Sequence, residues 1–131
     1  MCVPPHNCPL GGNGENIYMA VPKLSDIIAL IDAEIDAKVT KISPGVYVLD
    51  KTSSGPFTAS YVGRSDVDLN GRLHQWVGKY KYFKACYFDS AKAAFEAECE
   101  LYHALSPKDN TNHPARPSGS NWVCPRCYVF G

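Results

Sequence analysis

"ASYVGRSDVDLNGRLHQW", residues 59–76, begins extended and ends helical. Tyr61 and Val62 read as strand, and Gly63 interrupts the run. From about residue 68 the pattern becomes helical, with Leu69, Leu73, Trp76 and Val77 on one side and Arg72 at the edge of that stripe. His74 falls on the opposite face and reads as a surface histidine. A glycine inside an extended run marks either a bulge or strand exit, or a point where a ligand comes close to the backbone. This strand-to-helix junction decides the architecture.

Upstream, "GVYVLD" (45–50) and "FTASYVG" (57–63) read as two strands joined by a hairpin connection, "KTSSGP". Downstream, "KYFKACYFD" (81–89) reads as a third strand, and "SAKAAFEAECELYHAL" (90–105) as the clearest helix, capped by Asp89 or Ser90. In "LSDIIALIDAEIDAKV" (24–39), apolar positions 27, 28, 31 and 35 predict another helix. Ser25 is its expected N-cap, and Asp32, Glu34 and Asp36 its solvated face. The order predicts an α/β fold, a small sandwich with a central, mainly antiparallel three-stranded sheet flanked by helices. It forms a single domain over 1–131, with an N-terminal extension 1–42 and a Cys-containing tail 113–131.

A chain of 131 residues suits one domain with a real core. Its 13 basic and 13 acidic side chains cancel, which excludes a global basic field. The balance is uneven: residues 1–50 hold three basic and six acidic side chains, and residues 51–131 hold ten and seven. The second part is the place for an anionic ligand. Lys79, Lys81, Lys84, Arg64, Lys108 and Arg116 are candidates for a local patch. No segment approaches the roughly 20 apolar residues of a membrane span. "MCVPPHNCPLGGNGEN" lacks the apolar centre of a signal peptide, so a cytoplasmic protein is expected.

The long helix carries a carboxylate on its apolar side. At 100° per residue, Ala91, Ala94, Phe95, Leu101, Tyr102 and Leu105 lie within about 60° of Glu98. Glu96 and Glu100 fall nearly opposite, where solvated charge is expected. A buried carboxylate needs a cation or a donor, so Glu98 is either an arginine's partner or a metal ligand.

Taken together these residues resemble the GIY-YIG nuclease family over about residues 43–112. "GVY" (45–47) and "YVG" (61–63) stand for its two tripeptides, Arg72 for its helix arginine and Glu98 for its glutamate. "ECELYHALSPKDN" looks like the family's run from glutamate through proline to asparagine, here Pro107 and Asn110. The interval from Tyr61 to Arg72 is one residue longer than usual, and Trp76 stands where many members carry His or Tyr. The resemblance implies Mg²⁺-dependent hydrolysis of a phosphodiester. Glu98 would hold the Mg²⁺. Arg72 would donate to the charge developing on phosphate. Tyr61 would be the general base and Tyr47 would orient the water or that base. Gly63, Arg64 and Asn110 would meet the substrate, a nucleic acid and by expectation DNA. An unperturbed tyrosine, with a pKa near 10, is a poor base, so a nearby cation or arginine would have to lower it.

Six cysteines read as three disulfides in a secreted domain or, in a cytoplasmic chain, as metal ligands plus buried free thiols, with a redox pair or disulfide as the alternative for Cys124 and Cys127. "CPRC" places Cys124 and Cys127 at the spacing of a zinc half-site, to be completed by Cys2 or Cys8, with His6 or His113 as alternatives. Cys86 and Cys99 are expected to be free thiols in or near the core. Three functions compete: an endonuclease, a catalytically idle nucleic-acid-binding module, and a zinc-stabilised interaction protein.

Overall fold

The computed structural model describes residues 24–51, 56–110 and 112–125. Its centre is β2 (Gly45–Asp50), the strand expected at "GVYVLD", buried along its whole length. It pairs antiparallel with β3 (Tyr61–Ser65) on one side and β4 (Tyr82–Tyr87) on the other. A short strand β1 (Ile28–Ala29) pairs antiparallel with the far side of β4, giving the order β1-β4-β2-β3. The α/β class and the antiparallel sheet are therefore present, but the sheet has four strands where three were expected.

The fourth strand comes from the segment read as the start of a helix. Residues 24–31 are not helical, and α1 covers only Asp32–Lys38. Positions 27, 28, 31 and 35 match helical spacing, but Ile27, Ile28 and Ile31 are β-branched and equally suit a strand. Ile28 is buried while Ile27 and Ile31 are about half exposed, the alternation of a strand. Ser25 caps no helix: its N–H donates to the Ala85 carbonyl, and its hydroxyl accepts from Ala85 N. It thereby extends the cover of the β4 edge.

β3 also starts later and ends later than expected. The Thr58 N–H donates to the Asp50 carboxylate at 2.8 Å, so residues 57–60 leave the ladder. Pairing runs from Leu49↔Tyr61 to Gly45↔Ser65 and passes straight through Gly63. At the end of β3 the Ser65 hydroxyl accepts from Asp68 N, and Asp68 then caps α2 (Leu69–His74) by accepting from Gly71 N. Tighter turns continue this helix to Val77, as the bonds Trp76 N to Leu73 O and Val77 N to His74 O show.

The sheet is covered on both faces. Tyr47, Leu49, Phe83, Ala85 and Tyr87 pack with Ile35, Leu69 and Leu73 from α1 and α2. Val46, Val48, Val62 and Cys86 pack with Ala94, Ala97 and Leu101 from α3 (Ala91–Leu105). Ser90 caps α3 by accepting from Ala93 N, one of the two caps expected. α3 has a second buried side, formed by Phe95 and Cys99 against Cys124 and Trp122 of the tail. That explains why Glu100, expected to be solvated, is only 7% exposed.

Asp32 and Asp36 lie exposed on α1, as expected, but they also pair with His74, which is half-buried. The His74 Nδ1 lies 2.6 Å from Asp32 and its Nε2 lies 2.8 Å from Asp36. These contacts join α2 to α1.

Candidate active site

A cleft of about 550 Å³ opens at the β3 edge of the sheet. Tyr47, Tyr61, Gly63, Arg64, Arg72 and Glu98 all line it. β3 is an edge strand, so side chains from its two faces meet there: Tyr61 belongs to the α2 side and Arg64 to the α3 side. The residues named from sequence as catalytic therefore share one cavity, and two of the three named as substrate-binding share it with them.

Gly63 is explained by its cross-strand partner, Tyr47. A Cβ on Gly63 would lie 2.5 Å from the Tyr47 ring and hydroxyl. The glycine admits the tyrosine ring, so neither a strand exit nor a ligand is needed to account for it. Tyr47 is almost fully buried, and its hydroxyl accepts from Trp76 Nε1 at 2.8 Å. Burial pushes the Tyr47 phenol up to about 12, although the Trp76 donor and the Arg72 charge pull it down. Tyr61 stacks 4.8 Å from the Trp76 ring. Its phenol is also pushed up, first by burial and then by the charge of Glu98, with Arg72 opposing. The downward shift that a base role for Tyr61 requires is thus not supplied by the protein's own groups, because burial outweighs one exposed arginine.

Glu98 is only 7% exposed, and its Oε1 lies 2.7 Å from Arg64 Nη1. Arg64 Nε donates in turn to Asp66 at 2.7 Å, and its guanidinium lies over the Phe95 ring. Burial pushes the Glu98 carboxyl up to about 7, against the pull of Arg64. Burial also works against the Arg64 charge, but Asp66 and Glu98 hold it protonated. Glu98 is thus an arginine's partner, as one reading of its helix position required. Among the described residues no hydrogen bond reaches its second oxygen. Strand phase is the signal for this partner: Arg64 alternates with Val62, which faces α3.

Arg72 stands differently. It is exposed, and among the described residues it forms no ion pair. Its Nη1 lies 3.4 Å from the Arg64 carbonyl, and its side chain also hydrogen-bonds that of Tyr47. The cleft therefore holds an uncompensated guanidinium on one wall and a neutralised carboxylate on the other.

Asn110 does not line the cleft. Its amide grips the backbone of Val62, accepting from the N–H at 2.8 Å and donating to the carbonyl at 2.9 Å. It bridges the outer edge of β3 at Val62. The proposed basic patch is dispersed among other contacts: Arg64 is paired, Lys84 lies over Phe57 and Lys79 over Trp76.

A second cluster lies behind α3. The donor atoms of Cys99, His113 and Cys124 all lie within 4.8 Å of one another, a group able to hold a metal ion. Cys124 and His113 were named as candidate ligands, whereas Cys99 was read as a plain core thiol. Cys2, His6, Cys8 and Cys127 lie outside the described residues. Cys86, also read as a free thiol, is disulfide-bonded, whereas Cys99 and Cys124 are free. Among the described residues no helix is long and apolar enough to cross a membrane.

Comparison with protein-family models, with curated proteins and with solved structures finds no match to this chain.

Proposed function

We propose that this chain is a metal-dependent endonuclease of the GIY-YIG type, hydrolysing phosphodiester bonds in DNA. The observation that carries the proposal is the single cleft lined by Tyr47, Tyr61, Arg72 and Glu98. An arginine without a carboxylate, facing a cleft, is a ready donor to a phosphate oxygen. In this reading Arg72 binds the scissile phosphate and stabilises the charge it gathers. Glu98 is the residue to hold a divalent cation such as Mg²⁺, through the oxygen that Arg64 leaves uncovered. Bound there, the cation would supply positive charge against the phosphate and acidify a coordinated water. Tyr61 and Tyr47 present neutral phenols to the cleft, able to orient water or a phosphate oxygen. Proton removal by Tyr61 additionally needs positive charge beyond that of Arg72, because burial and Glu98 raise its pKa.

A second metal, zinc, is proposed for the tail cysteines, as a structural ion. A cytoplasmic location rests on sequence alone and sits beside a disulfide at Cys86, a bond that persists chiefly in oxidising compartments.

One observation favours a second reading. Glu98 is already neutralised by Arg64, as in a catalytically idle module that binds nucleic acid through Arg72. Incubation of the full chain with supercoiled plasmid, branched DNA and single-stranded DNA, with Mg²⁺ or with EDTA, separates the two. Cleavage that needs Mg²⁺ supports the nuclease. Retarded migration of DNA with no cleavage in Mg²⁺ overturns it in favour of the binding module.

A further inference from the structure

The tail-facing side of α3 presents Phe95, Cys99, Tyr102 and His103, spaced i, i+4, i+7 and i+8. The tail lays His113, Trp122 and Cys124 against it. Phe95 stacks 5.9 Å from Trp122, and His113 lies 5.3 Å from the Tyr102 ring and 5.2 Å from that of His103. Cys99 and Cys124 are fully buried within this packing. Two thiols and an imidazole within 4.8 Å make a soft donor set, which suits zinc and not Mg²⁺ or Ca²⁺. Around a tetrahedral zinc such donors stand roughly 3.5 to 3.8 Å apart, so the group closes on an ion by small side-chain movements.

The histidine gives a second, independent indication. His113 Nδ1 lies 2.9 Å from the carbonyl oxygen of Pro114. A carbonyl only accepts, so Nδ1 carries a proton, and in the neutral ring Nε2 is the nitrogen that can bind a metal. Zinc-bound histidines characteristically make this outer hydrogen bond, which fixes the tautomer and the ring plane.

We propose that Cys99, His113 and Cys124 together bind one zinc ion, which fastens the C-terminal tail to α3 beside Glu98. The inference rests on the reading of the tail cysteines as zinc ligands and is independent of DNA cleavage. It replaces the expected partnership with the N-terminal cysteines by one with a cysteine inside the main helix. Binding converts two thiols to thiolates and releases their protons. The ion then supports the cleft from behind. Phe95 underlies the Arg64 guanidinium that holds Glu98. Ala115, two residues beyond His113, is part of the cleft wall.

The test is metal content of the full chain purified without chelator, followed by zinc removal and titration with Co²⁺. About one zinc per chain and a thiolate-to-cobalt absorption band are expected. Cys99→Ala and His113→Ala should each weaken binding on the order of 100-fold or more, beyond the 10- to 100-fold typical of losing an outer hydrogen-bond partner. His113→Cys should restore binding with a stronger thiolate band. His113 is only partly buried, so its variants do not depend on core packing. Zinc retained undiminished in both alanine variants overturns this ligand set while leaving a zinc protein. No zinc and no cobalt band, or a Cys99–Cys124 disulfide found by non-reducing mass spectrometry, overturns the site altogether.

Discussion

Glu98 and Cys99 are neighbours on α3, yet they belong to opposite kinds of surroundings. Glu98 faces the β3 edge, where tyrosines, arginines and a carboxylate converge on an open cleft. Cys99 faces the tail, where apolar rings close over two thiols and an imidazole. A helix can be buried on two sides only if every polar group on it finds a partner. On the cleft side that partner is Arg64, a charge brought in by strand alternation. On the tail side the donors find one another. The cleft offers hard oxygen donors and exposed cationic charge, and the tail offers soft ligands in a dry setting. The two sides of one helix therefore differ in the chemistry they can do.

The largest expected effect breaks the pairing on the cleft side. Arg64→Ala leaves Glu98 buried without its cation, and both side chains of the pair are nearly inaccessible. A loss of about 3 to 5 kcal/mol in unfolding free energy is expected by urea titration. A loss below about 1 kcal/mol would mean that the pair is solvated and that Glu98 is free for other work.

Gly63→Ala should cost less, about 1 to 3 kcal/mol. The new methyl would collide with the Tyr47 ring, whose nearest atoms lie 2.5 Å from where it must sit. A crystal structure or the near-ultraviolet spectrum of tyrosine and tryptophan should report a displaced ring and a broken Trp76–Tyr47 bond. Wild-type stability with an unmoved ring would refute the account of this glycine.

The smallest effect lies away from both regions and depends on pH. Asp32 and then Asp36 hold the His74 imidazole protonated above its ordinary range. A raised pKa in the folded state gives stability that is fully present below the unfolded value of about 6.5 and is lost as pH rises through the folded value. His74→Ala should therefore destabilise more at pH 5.5 than at pH 9, by comparison of denaturation midpoints. An equal penalty at both pH values would show that His74 acts by packing alone.

Much of the cleft side was legible in the sequence because local rules govern it. Helix phase turned Glu98 inward, strand-forming runs marked β2 and β4, and Ser90 was one of the two caps expected for α3. What failed were the features that depend on distant chain. β1 was hidden because Ile28 fits helical and extended spacing alike, and only the open edge of β4 decides between them. The need for glycine at position 63 comes from Tyr47 across the ladder, through a register that no local window contains. That the Asn110 amide reaches the Val62 backbone is likewise shown by nothing in its own neighbourhood. The tail cluster was the least legible. Cys99, His113 and Cys124 are drawn together by the packing of a Pro- and Asn-rich segment, while the close spacing of Cys124 and Cys127 points to a local pair.

The most direct test of the central claim contrasts Arg72 and Glu98, the cation and the carboxylate of the cleft. Mg²⁺-dependent plasmid cleavage and melting temperature should be measured for the wild type, Arg72→Ala and Glu98→Gln. Arg72 is exposed and, among the described residues, in no ion pair, so Arg72→Ala should leave the melting temperature nearly unchanged and reduce cleavage on the order of 10² to 10³-fold. Glu98→Gln should abolish cleavage, since the amide keeps the shape and loses the charge that holds the cation. Cleavage at the wild-type rate in Arg72→Ala or in Glu98→Gln would contradict the assignment of the cleft as an active site.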